Sequence, residues 1–334
     1  MIFAPPILAL FLGSLLIGAM LLYASVYGIQ VLKKWDIKSG SELQIILERK
    51  TYLISTIVSY AFAFQLLSLF LFIYTADDLS KFFVGAMCAA GTLKVNSYGY
   101  PALILKILNF LLAGIWLVVN HTDNRARDYP LIEKKYMLLL LITPLILAET
   151  AIQGMFFLEL HPNVITSCCG SLFSVEAAGV GSSLASFPSI PMKIVFYGFL
   201  AATLASGFYF YRNTGIAGYI FSLLGTCMFI VSITALISFI SLYFYELPTH
   251  HCPFCILQKE YGYIGYVLYA LLLTGAVSGM AVGALMPFRT VKSLETIMPS
   301  IMSRLTLASM ISYALFAAIA TYQIIFSHFR LEGY

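Results

Sequence analysis

The sequence predicts an all-α fold, a polytopic transmembrane helical bundle of about eight spans with both termini outside. Two observations carry this expectation. Of 334 residues, 60% are hydrophobic and only 10% charged, against about a quarter charged in ordinary soluble domains. The apolar residues also fall in runs long enough to cross about 30 Å of hydrocarbon, which takes roughly 20 helical residues.

The runs lie near 7–32, 51–75, 101–120, 136–160, 191–211, 215–245, 262–287 and 305–327. The first begins almost at Met1, is too long for a signal-peptide core and has no basic region ahead of it, so it reads as a retained span. The sixth exceeds what one crossing needs and is expected to tilt or project. Between the runs no connection is long enough for a soluble domain, so residues 1–334 read as a single integral membrane domain. The segment from Lys81 to Pro101 is too polar and Gly-rich to span, and is expected to form a short interfacial helix.

Orientation follows from Lys and Arg placement. Lys33, Lys34, Lys38, Arg49 and Lys50 follow the first run, and Arg125, Arg127, Lys134 and Lys135 the third. Arg212 follows the fifth, and Arg289, Lys292 and Arg304 the seventh, so 13 of 19 basic residues share one side. Taking that side as cytoplasmic puts the loops 76–100, 161–190 and 246–261 outside. Those loops hold Cys88, Cys168, Cys169, Cys252 and Cys255, while Cys227 sits inside the sixth run as a packing residue. An outer face favours oxidised thiols, so thiol chemistry or metal binding there is the expected theme.

The strongest local signal is His250-His251-Cys252-Pro253-Phe254-Cys255-Ile256-Leu257-Gln258-Lys259. A C-x-x-C pair holds two sulfurs close enough to close a small ring. Where it opens a helix, the positive helix end lowers the thiol pKa. Ile256 stands where a c-type haem attachment site needs His. Around Cys252–Lys259 the sequence resembles the DsbB family of membrane thiol:quinone oxidoreductases, in which such a pair begins a span and a basic residue follows. The resemblance covers about 20 residues and implies a Cys252–Cys255 disulfide coupled to a quinone. Lys259 stands where that family has its quinone-contacting arginine. The vitamin K epoxide reductase family, with a membrane-boundary C-x-x-C and a shuttle pair on a loop, is similar in logic.

A relay needs a second thiol set to meet a soluble partner, and Cys168-Cys169 and Cys88 are the candidates. Cys252, expected to be the more exposed, exchanges with them, and Cys255 faces the quinone, with Tyr263 and its neighbours Tyr261 and Tyr266 offering aromatic rings. The same loops could instead converge on copper, zinc or another thiophilic ion through Cys88, Cys168, Cys169, Cys252, Cys255, His250 and His251. His161 and Met87 are further possible donors. No second C-x-x-C or H-x₃₋₅-H completes a zinc pattern.

Glu149 lies well inside the fourth run, and intramembrane acids are functional by default. It is read either as a proton path to a quinone or as a protonated acid hydrogen-bonded to a neighbouring helix. The histidines, at or near span ends, do not pair within spans as a b-type haem requires. Basic runs with interleaved aromatics are missing, which argues against nucleic acid as a partner, and no internal repeat marks a transporter. The expected function is a bacterial inner-membrane thiol–disulfide oxidoreductase, passing electrons from a thioredoxin-like periplasmic protein to a quinone. The alternative is a metal-handling protein, or an accessory subunit bound to other subunits of a respiratory membrane complex.

Overall fold

The computed structural model describes residues 4–331 apart from 38, 127, 162–163, 167–187 and 214. All regular structure among them is helical: α1 (Pro5–Lys34), α2 (Glu42–Leu79), α3 (Ala89–Leu93), α4 (Gly99–Asp123), α5 (Ile132–Leu158), α6 (Ser189–Arg212), α7 (Ala217–Ala235), α8 (Ser241–Tyr245), α9 (Ile264–Leu285) and α10 (Met298–Phe326). Eight stretches are long and apolar enough to cross a membrane, the second running from Glu42 to Phe82 and the sixth from Ala217 through α8 to Tyr245. The chain is therefore a polytopic helical membrane protein. The long sixth run is one continuous helix with a π-helical turn at Leu236–Ile240. The short helix expected between Lys81 and Pro101 is α3.

The described residues form two compact units, one of Met1–Thr75, Asn96–Leu160 and Pro287–Ile301, the other of Ala76–Val95, His161–Met286 and Met302–Tyr334. In the first, α1 and α4 pack on α5. Pro5 and Pro6 start α1, where a missing N–H costs nothing, and Lys33 and Lys34 end it beside its negative pole. The core gathers Ile17, Leu21, Tyr27, Phe62, Trp116, Tyr136 and Ile142, with Phe62 and Trp116 edge to face at 5.0 Å.

Two ion pairs are sealed inside this unit. Lys106 and Glu149 meet at 2.7 Å, each side chain 1% exposed. The second Glu149 oxygen accepts from Gln65 and Asn109, each at 2.6 Å, and Lys106 also donates to Ser68. Glu149 thus bonds to neighbouring helices, as one of its two sequence readings had it, but through a buried ammonium that sequence reasoning overlooked. The other pair corrects the tally of loop cations. Lys135, counted there, lies within α5, fully buried, 2.7 Å from Asp123, and it also donates to Asn120.

In the second unit, α7 packs against both α6 and α9. Gly225 and Gly279 let the backbones of α7 and α9 approach closely, since a Cβ on Gly225 would sit 3.8 Å from the Gly279 Cα. Tyr313 of α10 then donates to the Gly225 carbonyl at 2.6 Å.

Removing one member of a buried ion pair strands a charge, at a typical cost of 3–5 kcal/mol. Lys106→Met should lower the unfolding free energy in mixed micelles by about that amount. Lys106→Met/Glu149→Gln should recover most of the loss. A double variant no more stable than the single would mean the pair is not the clamp described.

Candidate functional site

Three cysteines converge in the second unit. The sulfurs of Cys88, Cys252 and Cys255 all lie within 4.8 Å of one another, with Cys88 3.5 Å from Cys252. Their residues are 0%, 1% and 5% exposed, respectively. No disulfide joins any two of the three.

Cys88 caps the start of α3 in extended backbone. The chain reaches it through Gly85, whose φ is +84° and whose missing side chain leaves room for the Thr166 carbonyl. Thr166 in turn donates from its N–H to the Val84 carbonyl at 3.0 Å and from its hydroxyl to the Gly91 carbonyl at 3.0 Å, binding both sides of the Cys88 segment. On the other strand of the site, Tyr245 at the end of α8 donates its hydroxyl to the Cys252 carbonyl at 2.5 Å and accepts the Ile256 N–H at 2.9 Å. Tyr269 of α9 donates to the Pro253 carbonyl at 2.7 Å. Buried backbone outside an α-helix must find such partners.

Asp77, at the end of α2, ties the two segments together. Its Oδ1 accepts the Ala89 N–H, next to Cys88, and the Gln258 side-chain amide, each at 3.1 Å. That same amide also donates to the Met87 carbonyl at 2.7 Å. Neither Asp77 nor Gln258 was singled out from sequence. The signal for Asp77 was a carboxylate just past the end of the second apolar run, and that for Gln258 its place three residues after Cys255.

The pair does not open a long helix, as sequence reasoning expected. Cys255–Leu257 forms a single 3₁₀ turn, a second follows at Lys259–Tyr261, and α9 starts only at Ile264. The Cys252 thiol is nevertheless held well below its usual pKa, chiefly by hydrogen bonds from the Cys255 and Cys88 thiols, with the Phe254 and Cys255 N–H groups assisting against the cost of burial. Cys255 is pushed up, first by its hydrogen bond to Cys252, then by that to Cys88 and by burial.

The remaining predicted residues lie elsewhere. Cys168 and Cys169 lie outside the described residues. Cys252, expected to be exposed, is enclosed. Lys259 is exposed and Tyr263 is 49% exposed, and Glu149 belongs to the first unit. The ring of His250 stands edge-on to Tyr245 at 4.5 Å. His251 is buried with Nδ1 2.9 Å from the Ile237 carbonyl in the π turn, so that nitrogen carries the proton. Burial lowers the pKa of both imidazoles. Neither histidine belongs to the group of converging ligand atoms.

A cleft of about 320 Å³ is lined by Phe244, Tyr261, Ile264, Ile319, Tyr322 and Gln323. Tyr261 stands edge-on to Tyr245 at 4.9 Å, and Tyr245 holds the Cys252 backbone, so cleft and sulfurs share one aromatic wall. The chain has no significant match to a protein family, to a curated protein or to a solved structure.

Because Asp77 links the two cysteine segments, Asp77→Ala should loosen them. Losing hydrogen bonds to a charged acceptor is worth about 1.5–3 kcal/mol each, so maleimide labelling of the cluster should quicken by roughly tenfold or more. Asp77→Asn retains an acceptor oxygen and should label near the wild-type rate. Equal rates in wild type and Asp77→Ala would show that the link does not hold the site closed.

Proposed function

We propose that the protein is a membrane thiol–disulfide oxidoreductase that draws electrons from a reduced thiol partner on the non-cytoplasmic side and delivers them to a membrane quinone. The observation that carries this reading is the position of Cys252, hydrogen-bonded to Cys255 and 3.5 Å from Cys88. One sulfur with two sulfur neighbours can exchange a disulfide between them with little motion, since an S–S bond needs only about 2 Å.

In the proposed cycle a quinone takes two electrons and two protons from the Cys252 and Cys255 thiols, leaving their disulfide and a quinol. The Cys88 thiolate then attacks the Cys252 sulfur, and Cys255 leaves and takes up a proton. A thiol attacks Cys88 and frees Cys252, and a second thiol resolves that mixed disulfide and frees Cys88. The net reaction is partner dithiol plus quinone giving partner disulfide plus quinol. Cys88 is fully enclosed, so in this reading Cys168 and Cys169 are the link to a thioredoxin-like partner. The aromatic cleft at Tyr261 and Tyr322 suits a flat apolar ring better than exposed Lys259 and Tyr263 do, and the quinone is assigned there.

The test uses the reduced protein in detergent, mixed anaerobically with a short-chain quinone, followed by mass mapping of the disulfides. Wild type should form quinol and a Cys252–Cys255 disulfide. Cys255→Ser should form no quinol above background and accumulate Cys88–Cys252 when oxidised chemically. Cys88→Ala should still reduce quinone from dithiothreitol but lose oxidation of a protein dithiol, and Tyr322→Ala should raise the quinone KM. Wild-type thiols inert to quinone, or Cys255→Ser turning over at the wild-type rate, would overturn the reading.

A further inference from the structure

We propose that the reduced Cys88–Cys252–Cys255 cluster is also a binding site for one monovalent copper ion, held by three sulfurs. The donor set is the first reason. The converging ligand atoms are three sulfurs, with no imidazole or carboxylate among them, and soft sulfur donors select soft ions such as Cu(I). Met87 is 68% exposed and turns its carbonyl, not its thioether, to the Gln258 link.

The geometry is the second reason. With metal–thiolate bonds of about 2.3 Å, as in zinc sites, three sulfurs around a planar centre stand about 4 Å apart. The observed Cys88–Cys252 separation of 3.5 Å, with all three atoms within 4.8 Å, needs only sub-ångström shifts to reach that. Structural zinc asks for four ligands, and the described residues supply three. Cu(I) accepts three-coordination readily.

Enclosure is the third reason. Residues only 0–5% exposed leave water no easy access to a bound ion, and the N–H groups of Phe254 and Cys255 that reach Cys252 help carry the negative charge of a thiolate–metal centre. Binding moves no electrons. The ion enters as Cu(I), at least two thiol protons leave to solvent, and the remaining sulfur binds as thiol or thiolate.

A consequence distinguishes this site from an ordinary metal site. Any disulfide formed among the three sulfurs removes two of the three donors. Copper and disulfide therefore exclude each other, and a copper-loaded chain cannot exchange thiols. Copper binding depends on the sulfur geometry alone and is independent of whether the thiols turn over with quinone.

The experiment is an anaerobic titration of fully reduced, detergent-purified protein with Cu(I), in competition with bathocuproine disulfonate, followed by X-ray absorption of the loaded sample. The expected result is one copper per chain, sulfur-only coordination by three atoms, and retention weakened at least about 100-fold in Cys252→Ser. Even an outer-shell change costs 10- to 100-fold. Cys227→Ala, in α7 outside the cluster, should bind as wild type and shows that loss of any thiol is not enough. Protein first oxidised to a Cys252–Cys255 disulfide should bind no copper at this site. Copper retained equally by a folded Cys88→Ser/Cys252→Ser/Cys255→Ser variant would overturn the proposal, as would wild type yielding all its copper to the chelator. So would zinc, titrated in parallel, being held as tightly as copper. Quinone reduction is measured on the copper-free sample, so failure of the relay and failure of the copper site read out separately.

Discussion

Inside hydrocarbon no water is at hand to satisfy a polar group, so each one carried there needs a partner from the chain itself. Much of this structure follows from that demand. Glu149 cannot sit in the fourth long helix alone, and Lys106, Gln65 and Asn109 converge on it from two other helices. Thr143, buried in α5, donates its hydroxyl to the Leu139 carbonyl and meets the Ser25 hydroxyl of α1 at 2.8 Å. The π turn at Leu236–Ile240 loosens the helix ladder, and His251 supplies a donor to the Ile237 carbonyl. The polar groups that look costly in sequence are the ones that fix how helices meet.

A related demand shapes the cysteine site, because buried backbone needs partners wherever water is shut out. Residues 246–263 leave regular helix, so their carbonyls and N–H groups are met by side chains instead. Tyr245 serves two of them and Tyr269 a third. These tyrosines put the C-x-x-C in a rigid frame, and Asp77 and Gln258 join that frame to the Cys88 segment. The thiol electrostatics then come from sulfur neighbours and two N–H groups, without any helix end. A tuned thiol needs donors aimed at it, and a helix N-terminus is only one way to supply them.

What was legible in the sequence divides along the range of the interactions. The spans were legible because length and apolarity are properties of a run, and all eight lie where the runs lie. Cys252 and Cys255 were legible because their spacing is local. Which distant cysteine joins them was not, since Cys88 is 164 positions away from Cys252 and competed on equal terms with Cys168 and Cys169. Lys135 looked like a loop cation because it follows Lys134 near the start of an apolar run, and only the fold reveals Asp123 opposite it. Lys106 sat in plain view within the third run. Its meaning depended on Glu149, 43 positions later, which no local pattern connects.

Enclosure of the sulfurs bears on how such a site can work. A thiol that exchanges directly with a protein partner has to be reachable, and Cys88, Cys252 and Cys255 are not. Chemistry confined among them is protected from adventitious oxidants and from hydrated metal ions, which pay heavily to shed water. The reactants proposed for it both arrive without a hydration shell, one a lipid-soluble ring and the other a soft ion handed over from sulfur to sulfur. Burial thus narrows the reactants to those that suit the donors. The two proposed activities compete because both draw on the same three sulfurs.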